Sequence, residues 1–84
     1  MGHTENFADN LAKQLAGRGM ASLTVGGVKA DVRVIGKSFI WTVAPADADV
    51  FSTGLASGCE SSAEDAVNRA AAALTRAISR ARLP

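Results

Sequence analysis

The alanine-rich segment from Glu60 to Arg82 constrains the fold of this chain more than any other stretch. Its apolar residues recur at helical spacing and form one thin stripe: Ala63, Ala66, Val67, Ala70, Ala71, Leu74, Ala77, Ile78 and Ala81. Ser61 with Glu64, or Ser62 with Asp65 one residue later, has the spacing of a capping box, which predicts where the helix begins. Because alanine side chains are short, such a helix can lie close against a sheet, and the residues before it have the pattern of that sheet.

Two runs of alternating residues predict the first two strands of the sheet. Met20–Val25 alternates weakly and is followed by Gly26-Gly27, a pair that is typical of a tight hairpin turn. The next run places apolar residues on one face and charged residues on the other, which makes it the clearest half-buried strand in the chain: Val28, Lys29, Ala30, Asp31, Val32, Arg33 and Val34.

Two further strands are predicted after a turn at Gly36-Lys37. Pro45 ends the third strand, because proline cannot donate a hydrogen bond to a strand ladder. One face of that strand carries its large side chains, Phe39, Trp41 and Val43. The fourth strand is predicted from Val50 to Ala56, and Gly58-Cys59 is interpreted as the link into the last helix.

A shorter helix is predicted before the strands, from about Glu5 to Ala16, with Thr4 as its N-cap and Gly17 and Gly19 ending it. Its apolar stripe consists of Phe7, Leu11 and Leu15. The element order is therefore α-β-β-β-β-α, and short connections favour an antiparallel meander. The sequence predicts a two-layer α+β sandwich in which two helices cover one face of a four-stranded sheet and the other face is more open.

Composition predicts one domain over residues 1–84, with residues 1–4 as a disordered N-terminus. The formal net charge of +1 gives no overall field for nucleic acid or an anionic membrane. No segment is apolar over the length needed to span a bilayer, and early charges such as Glu5 and Asp9 argue against Sec export. One cysteine, Cys59, excludes an intramolecular disulfide and favours a reducing cytoplasm.

Few residues have the pattern of catalytic or metal-binding groups. Cys59 is predicted just before a helix N-terminus, where the dipole favours a thiolate, but Glu60 opposes it and His3 is distant in sequence. An inert or partly buried cysteine is therefore the favoured interpretation. The acidic residues match no calcium loop, and turn and capping roles account for Asp47, Asp49, Glu60, Glu64 and Asp65. We expect no enzyme activity, no metal site and no cofactor.

Two groups of residues are candidates for binding a macromolecule. Trp41, Phe39 and Phe51 would stack bases if they lay on the open sheet face, although a domain of this size favours them as core. The last helix carries four arginines, which form either a binding patch or a solvated helix face: Arg69, Arg76, Arg80 and Arg82. The candidate interaction residues are Lys29, Arg33, Lys37, Trp41, Arg69, Arg76 and Arg80.

The glycine-containing run Gly54–Ser57, followed by the alanine-rich pattern from Ala66 to Leu74, resembles the end of a double-stranded-RNA-binding domain. That resemblance implies a helix–meander–helix outline. The family clusters lysines at the start of the last helix to hold phosphates, whereas this chain has serine and acidic residues there: Ser61, Ser62, Glu64 and Asp65. The resemblance therefore extends to the fold and not to RNA binding.

Gly58-Cys59-Glu60 and Glu64-Asp65-Ala66 are similar to the strand-to-helix join of HicB-like antitoxins and other small bacterial domains with a β-meander and a helix. The Gly-Asp-Thr link of that family and its separate DNA-binding segment do not occur here. We therefore transfer no functional residue from the resemblance.

These observations predict a non-enzymatic accessory protein of the bacterial cytoplasm that acts through contacts with another protein. The open sheet face or a sheet edge would be the site, and the protein would be a monomer or a weak homodimer. The alternative is a weak nucleic-acid-binding or antitoxin-like module that uses the basic residues of the strands and of the last helix. No membrane partner is expected.

Overall fold

A computed structural model describes residues 7–46 and 56–82, with residues 81 and 82 described as backbone only. It confirms the predicted order of helices and strands. The elements are α1 (Phe7–Arg18), β1 (Met20–Val25), β2 (Val28–Ile35), β3 (Ser38–Pro45), β4 (Ala56–Glu60) and α2 (Ala63–Arg82). The four strands form one sheet in the order β1-β2-β3-β4, and all neighbours are antiparallel.

Both predicted hairpin turns are present, and glycine explains each of them. Gly26 and Gly27 have φ angles of 58° and 80°, the pattern of a type I′ turn between β1 and β2. Gly36 has a φ angle of 62° while Lys37 has no positive φ, the pattern of a type II′ turn between β2 and β3. These two-residue turns fix the register of the first three strands.

The helices start and end at slightly different residues from those predicted. α1 continues through Gly17 to Arg18, and Gly19 ends it with a φ of 77° and a hydrogen bond from its amide to the Leu15 carbonyl at 2.8 Å. Thr4 and Glu5 lie outside the described residues. In α2, the second capping option is the observed one, because Ser62 Oγ accepts a hydrogen bond from the Asp65 amide at 3.1 Å.

The fourth strand is the main correction to the predicted elements. It begins at Ala56, where the prediction ended it, and runs to Glu60. Gly58 and Cys59 are not a link into α2, because they pair with Trp41 and Ile40 of β3. Residues 50–55 of the predicted strand lie outside the described residues, as do Asp47, Asp49 and Phe51. Pairing with β3, rather than the apolar content of the strand itself, sets the position of β4.

The core lies between the sheet and the two helices. α1 packs on β1 and on α2, whereas α2 contacts β2, β3 and β4. The largest fully buried side chains are Leu11, Leu74, Val32 and Val43. Trp41 is 8% exposed and Phe39 packs against the same cluster, so the interpretation of these aromatics as core is confirmed. The opposite face of the sheet carries the charged residues of β2.

Candidate functional site

The two outer strands differ in whether their outward backbone groups are already used. In a two-residue hairpin, the residues that flank the turn form a hydrogen-bonded pair, and bonding then alternates along the strands. For β1, this alternation directs the amide and carbonyl groups of Met20, Ser22 and Thr24 away from β2. For β4, it directs those of Ser57 and Cys59 away from β3. An unused edge of this kind can pair with another strand.

The edge of β1 is closed at its centre by a side chain of α1. Gln14 Nε2 donates to the Ser22 carbonyl at 2.9 Å, and the Ser22 amide donates to Gln14 Oε1 at 3.1 Å. Gln14 Nε2 also donates to Asn10 Oδ1 at 2.7 Å, which orients the amide group. The Gln14 carboxamide therefore occupies the two backbone groups of Ser22 that a neighbouring strand would use.

The edge of β4 has no such cover in the part of the chain that the structure describes. No described side chain bonds to the outward groups of Ser57 or Cys59, and both residues are exposed. Two N–H and two C=O groups are thus presented along this five-residue strand. This free edge is the first component of the candidate site.

The second component is the flank of α2 that overlooks β4. At 3.6 residues per turn, three arginines fall within an arc of about 40° on the helix, namely Arg69, Arg76 and Arg80. α2 runs antiparallel to β4. Arg69 therefore lies beside Glu60 at the end of the strand, and Arg80 lies near Ala56 at its start. We call this surface the arginine flank.

Two depressions separate the arginine flank from the sheet. One, of about 430 Å³, has Trp41 and Ala72 in its lining and extends from Asp65 to Arg76. The other, also about 430 Å³, is bounded by Arg76 and Arg80 on α2 and by Val28, Pro45 and Ala56 on the sheet. Arg76 lines both depressions, which follow one another along α2, and Ala56 is the β4 residue in their lining. We call the two depressions together the trough.

Glu60 connects the sheet to the arginine flank. Its side chain is 18% exposed, and Oε2 accepts a hydrogen bond from Trp41 Nε1 at 3.1 Å. The same oxygen lies 3.3 Å from Arg69 Nε, so one carboxylate oxygen satisfies both groups. Glu60 therefore has a role in the fold that the capping interpretation did not anticipate.

The three arginines consequently differ in how much of their charge is already used. Arg69 is paired with Glu60, whereas no described carboxylate lies within salt-bridge distance of Arg76 or Arg80. Both of these side chains are exposed. The positive charge that is available for another molecule therefore concentrates at the end of the trough near Ala56.

The candidate residues predicted from sequence divide between the two layers of the molecule. Trp41, Arg69, Arg76 and Arg80 line the trough, although Trp41 contributes as part of its floor. Lys29 and Arg33 alternate with the buried residues of β2 and therefore lie on the open sheet face. Exposed Lys37 lies in the β2–β3 turn. The strand cations and the helix arginines thus form no continuous patch.

The open sheet face also carries Cys59, which the sequence placed before the helix. Cys59 is exposed, pairs with Ile40 across the strands and lies in β4 rather than at a helix N-terminus. That placement corrects both the dipole argument and the expectation of a partly buried thiol. Within the described ranges, no group of three or more His, Cys, Asp or Glu side chains is arranged to hold a metal ion.

A further depression, of about 600 Å³, lies between the two helices above Val34 and Phe39. Small apolar side chains form most of its lining. Asp9 at its rim is paired with Lys13 at 3.2 Å. No lysine or arginine is in the lining of this depression, whereas arginines line the trough.

Comparisons of the chain with protein-family models, with curated proteins and with solved structures found no match. In the described part of the chain, neither helix combines the length and the hydropathy needed to cross a membrane.

Proposed function

We propose that this protein is a non-enzymatic interaction module that binds an extended segment of a partner protein along β4. The partner segment would become an additional strand of the sheet, a mode of recognition in which backbone hydrogen bonds supply affinity and side-chain pockets supply specificity. The observation that carries the proposal is the difference between the two edges. Gln14 closes the edge of β1 at Ser22, whereas the outward groups of Ser57 and Cys59 have no described partner.

The free edge is suited to a peptide backbone because its groups alternate in the way that a strand requires. Ser57 and Cys59 each present an N–H and a C=O group, so an added antiparallel strand could form four hydrogen bonds. Each such bond contributes roughly 0.5–1.5 kcal/mol net of the water that it displaces. Side chains facing the trough would have to supply the rest of the affinity.

A binding role rather than catalysis is supported by the surroundings of the one thiol and of the acids. Exposed Cys59 lies on the open face beside Ile40, and Glu60 is engaged by Trp41 and Arg69. Among the residues that the structure describes, neither is paired with the base or the second carboxylate that a catalytic arrangement needs. The free thiol also supports the bacterial cytoplasm as the location that we propose.

The experiment that tests strand addition compares one substitution on the two outer strands. Ser57→Pro removes an outward N–H from β4 without breaking a bond to β3, since proline is tolerated at such edge positions. Thr24→Pro makes the same change on β1 and is the matched control. The probes are three eight-residue peptides that alternate threonine with glutamate, with glutamine or with lysine, titrated into labelled protein and followed by amide chemical shifts.

Strand addition predicts that at least one peptide shifts the Ser57 and Cys59 amides and slows their hydrogen exchange. Ser57→Pro should abolish this response, and Thr24→Pro should preserve it. A version of the binding peptide that is N-methylated at alternate residues should not bind, because it keeps the side chains but loses the edge hydrogen bonds. The proposal is wrong if none of the three peptides shifts the amide resonances of β4. It is also wrong if raising the protein concentration, without any peptide, slows hydrogen exchange of the β4 amides.

A further inference from the structure

We infer that the segment added to β4 is acidic at alternate positions and that its carboxylates meet Arg76 and Arg80. This inference rests on the proposed function, because it assigns the side chains of a strand that β4 would bind. Arg76 and Arg80 border the trough beside β4 and have no carboxylate within salt-bridge distance among the described residues. They therefore supply the charge that selects the partner.

The direction of side chains in an added strand follows from the sheet. Ala56, Gly58 and Glu60 face the helical layer, since they pair with the buried face of β3. Residues of a partner placed opposite these three positions would also face the helical layer, and the intervening residues would lie on the open face. Every second side chain of the partner therefore meets the trough.

The spacing of the two free arginines matches this alternation. Arg76 and Arg80 are four residues apart, a rise of about 6 Å along a helix. Side chains on one face of a strand repeat at about 6.7 Å. Two acidic residues separated by one position could thus each lie beside one arginine, and each pair would be a charge-assisted hydrogen bond.

The two ends of the trough favour different partner side chains. Near Ala56, Arg76 and Arg80 favour carboxylates. At the other end, Glu60 already neutralises Arg69, and Asp65 adds a further negative charge to the lining. We therefore place the acidic residues opposite Ala56 and Gly58, and an uncharged residue opposite Glu60.

A peptide fits this site better than a nucleic acid does. Among the described residues, Trp41 is the aromatic group in the lining of the trough, and at 8% exposure its ring is not available for base stacking. Acidic groups border one end of the trough, where they would repel a continuous phosphate backbone. The free N–H and C=O groups of β4 are complementary to another backbone of the same kind rather than to phosphates.

The test uses the peptide panel with two double variants that change charge equally. Arg76→Glu with Arg80→Glu reverses the free end of the arginine flank. Lys29→Glu with Lys37→Glu reverses two exposed cations elsewhere and is the control. We expect the glutamate peptide to bind the natural chain more tightly than the glutamine peptide, with a salt-dependent affinity. The arginine variant should weaken it roughly tenfold or more, given the usual magnitude of exposed ion pairs and the added repulsion.

The outcomes separate the acidic inference from strand addition itself. Equal binding of the glutamate and glutamine peptides, still abolished by Ser57→Pro, would overturn the inference and leave strand addition standing. Binding of the glutamate peptide that survives Ser57→Pro and N-methylation would overturn strand addition. If short single-stranded DNA shifts the same residues and Arg76→Glu with Arg80→Glu abolishes this, the site is a nucleic-acid site and both are wrong.

Discussion

The indole ring of Trp41 lies across Gly58 of the neighbouring strand, so close that a β-carbon at Gly58 would be 2.6 Å from Nε1. The same β-carbon would lie 2.9 Å from Cε2 and 3.0 Å from Cζ2. Glycine at this position lets the ring cross β4 and place Nε1 against Glu60, at 3.1 Å from Oε2. The contact fixes the floor of the trough and holds the end of β4 to β3.

Gly58→Ala should therefore destabilise the protein, by about 1–3 kcal/mol, as overpacking of a well-packed core usually does. The ring cannot move freely, because it is buried beneath α2. Urea unfolding followed by circular dichroism measures the change. Gly17→Ala is the control, since Gly17 is helical with open space around its α-carbon and alanine should stabilise it by roughly 0.5–1 kcal/mol. Equal effects of the two substitutions would contradict the assigned contact.

The clash at Gly58 should depend on the indole. Trp41→Phe replaces the indole with a smaller phenyl ring and removes the N–H that donates to Glu60, so it should cost about 1–3 kcal/mol by itself. In the double variant with Gly58→Ala, the methyl group should occupy space that the indole vacates. We expect a free energy of unfolding for the double variant that is higher than the sum of the single effects predicts, by about 1 kcal/mol. Strict additivity would show that the two residues do not interact.

A strand could be predicted from the sequence only where the pattern that defines it lies within the strand itself. Period-two alternation predicted β1, β2 and β3, because their apolar residues face one core. β4 has no such pattern. The residues that face the helical layer are Ala56, Gly58 and Glu60, and none of them has a large apolar side chain. Its position depends on pairing with β3 and on the Trp41 ring, neither of which is visible in a run of five residues.

The candidate site was predictable in the same uneven way. Helical spacing placed Arg69, Arg76 and Arg80 on one exposed surface, and the structure adds that this surface overlooks β4. The role of Gln14 was not predictable, because a glutamine on the polar side of a helix has the pattern of an ordinary solvated residue. Its bonds to Ser22 arise only when the turn at Gly19 brings α1 alongside β1.

Gln14→Ala should open the edge of β1. The substitution leaves the amide and carbonyl of Ser22 without their side-chain partner, so Ser22 should exchange its amide hydrogen faster and stability should fall by about 1–2 kcal/mol. An opened edge without charge or proline also favours self-association, which sedimentation at increasing protein concentration would detect. Asn10→Ala is the control, because it removes the bond that orients Gln14 and leaves both bonds to Ser22. An unchanged exchange rate at Ser22 in Gln14→Ala would show that the edge is not closed this way.

The sequence left two residues as possible N-caps of α2, Ser61 and Ser62, and the structure has Ser62 in that role. Ser62 Oγ accepts a hydrogen bond from the Asp65 amide, and the Ser62 carbonyl accepts one from the Ala66 amide at 3.1 Å, as the first intrahelical bond. Ser62→Ala should therefore cost about 1 kcal/mol, the usual value for loss of an N-cap. Ser61→Ala, one residue earlier on an exposed position, should change the free energy of unfolding by less than about 0.5 kcal/mol. A larger loss from Ser61→Ala than from Ser62→Ala would place the cap one residue earlier and contradict the hydrogen bond between Ser62 Oγ and the Asp65 amide.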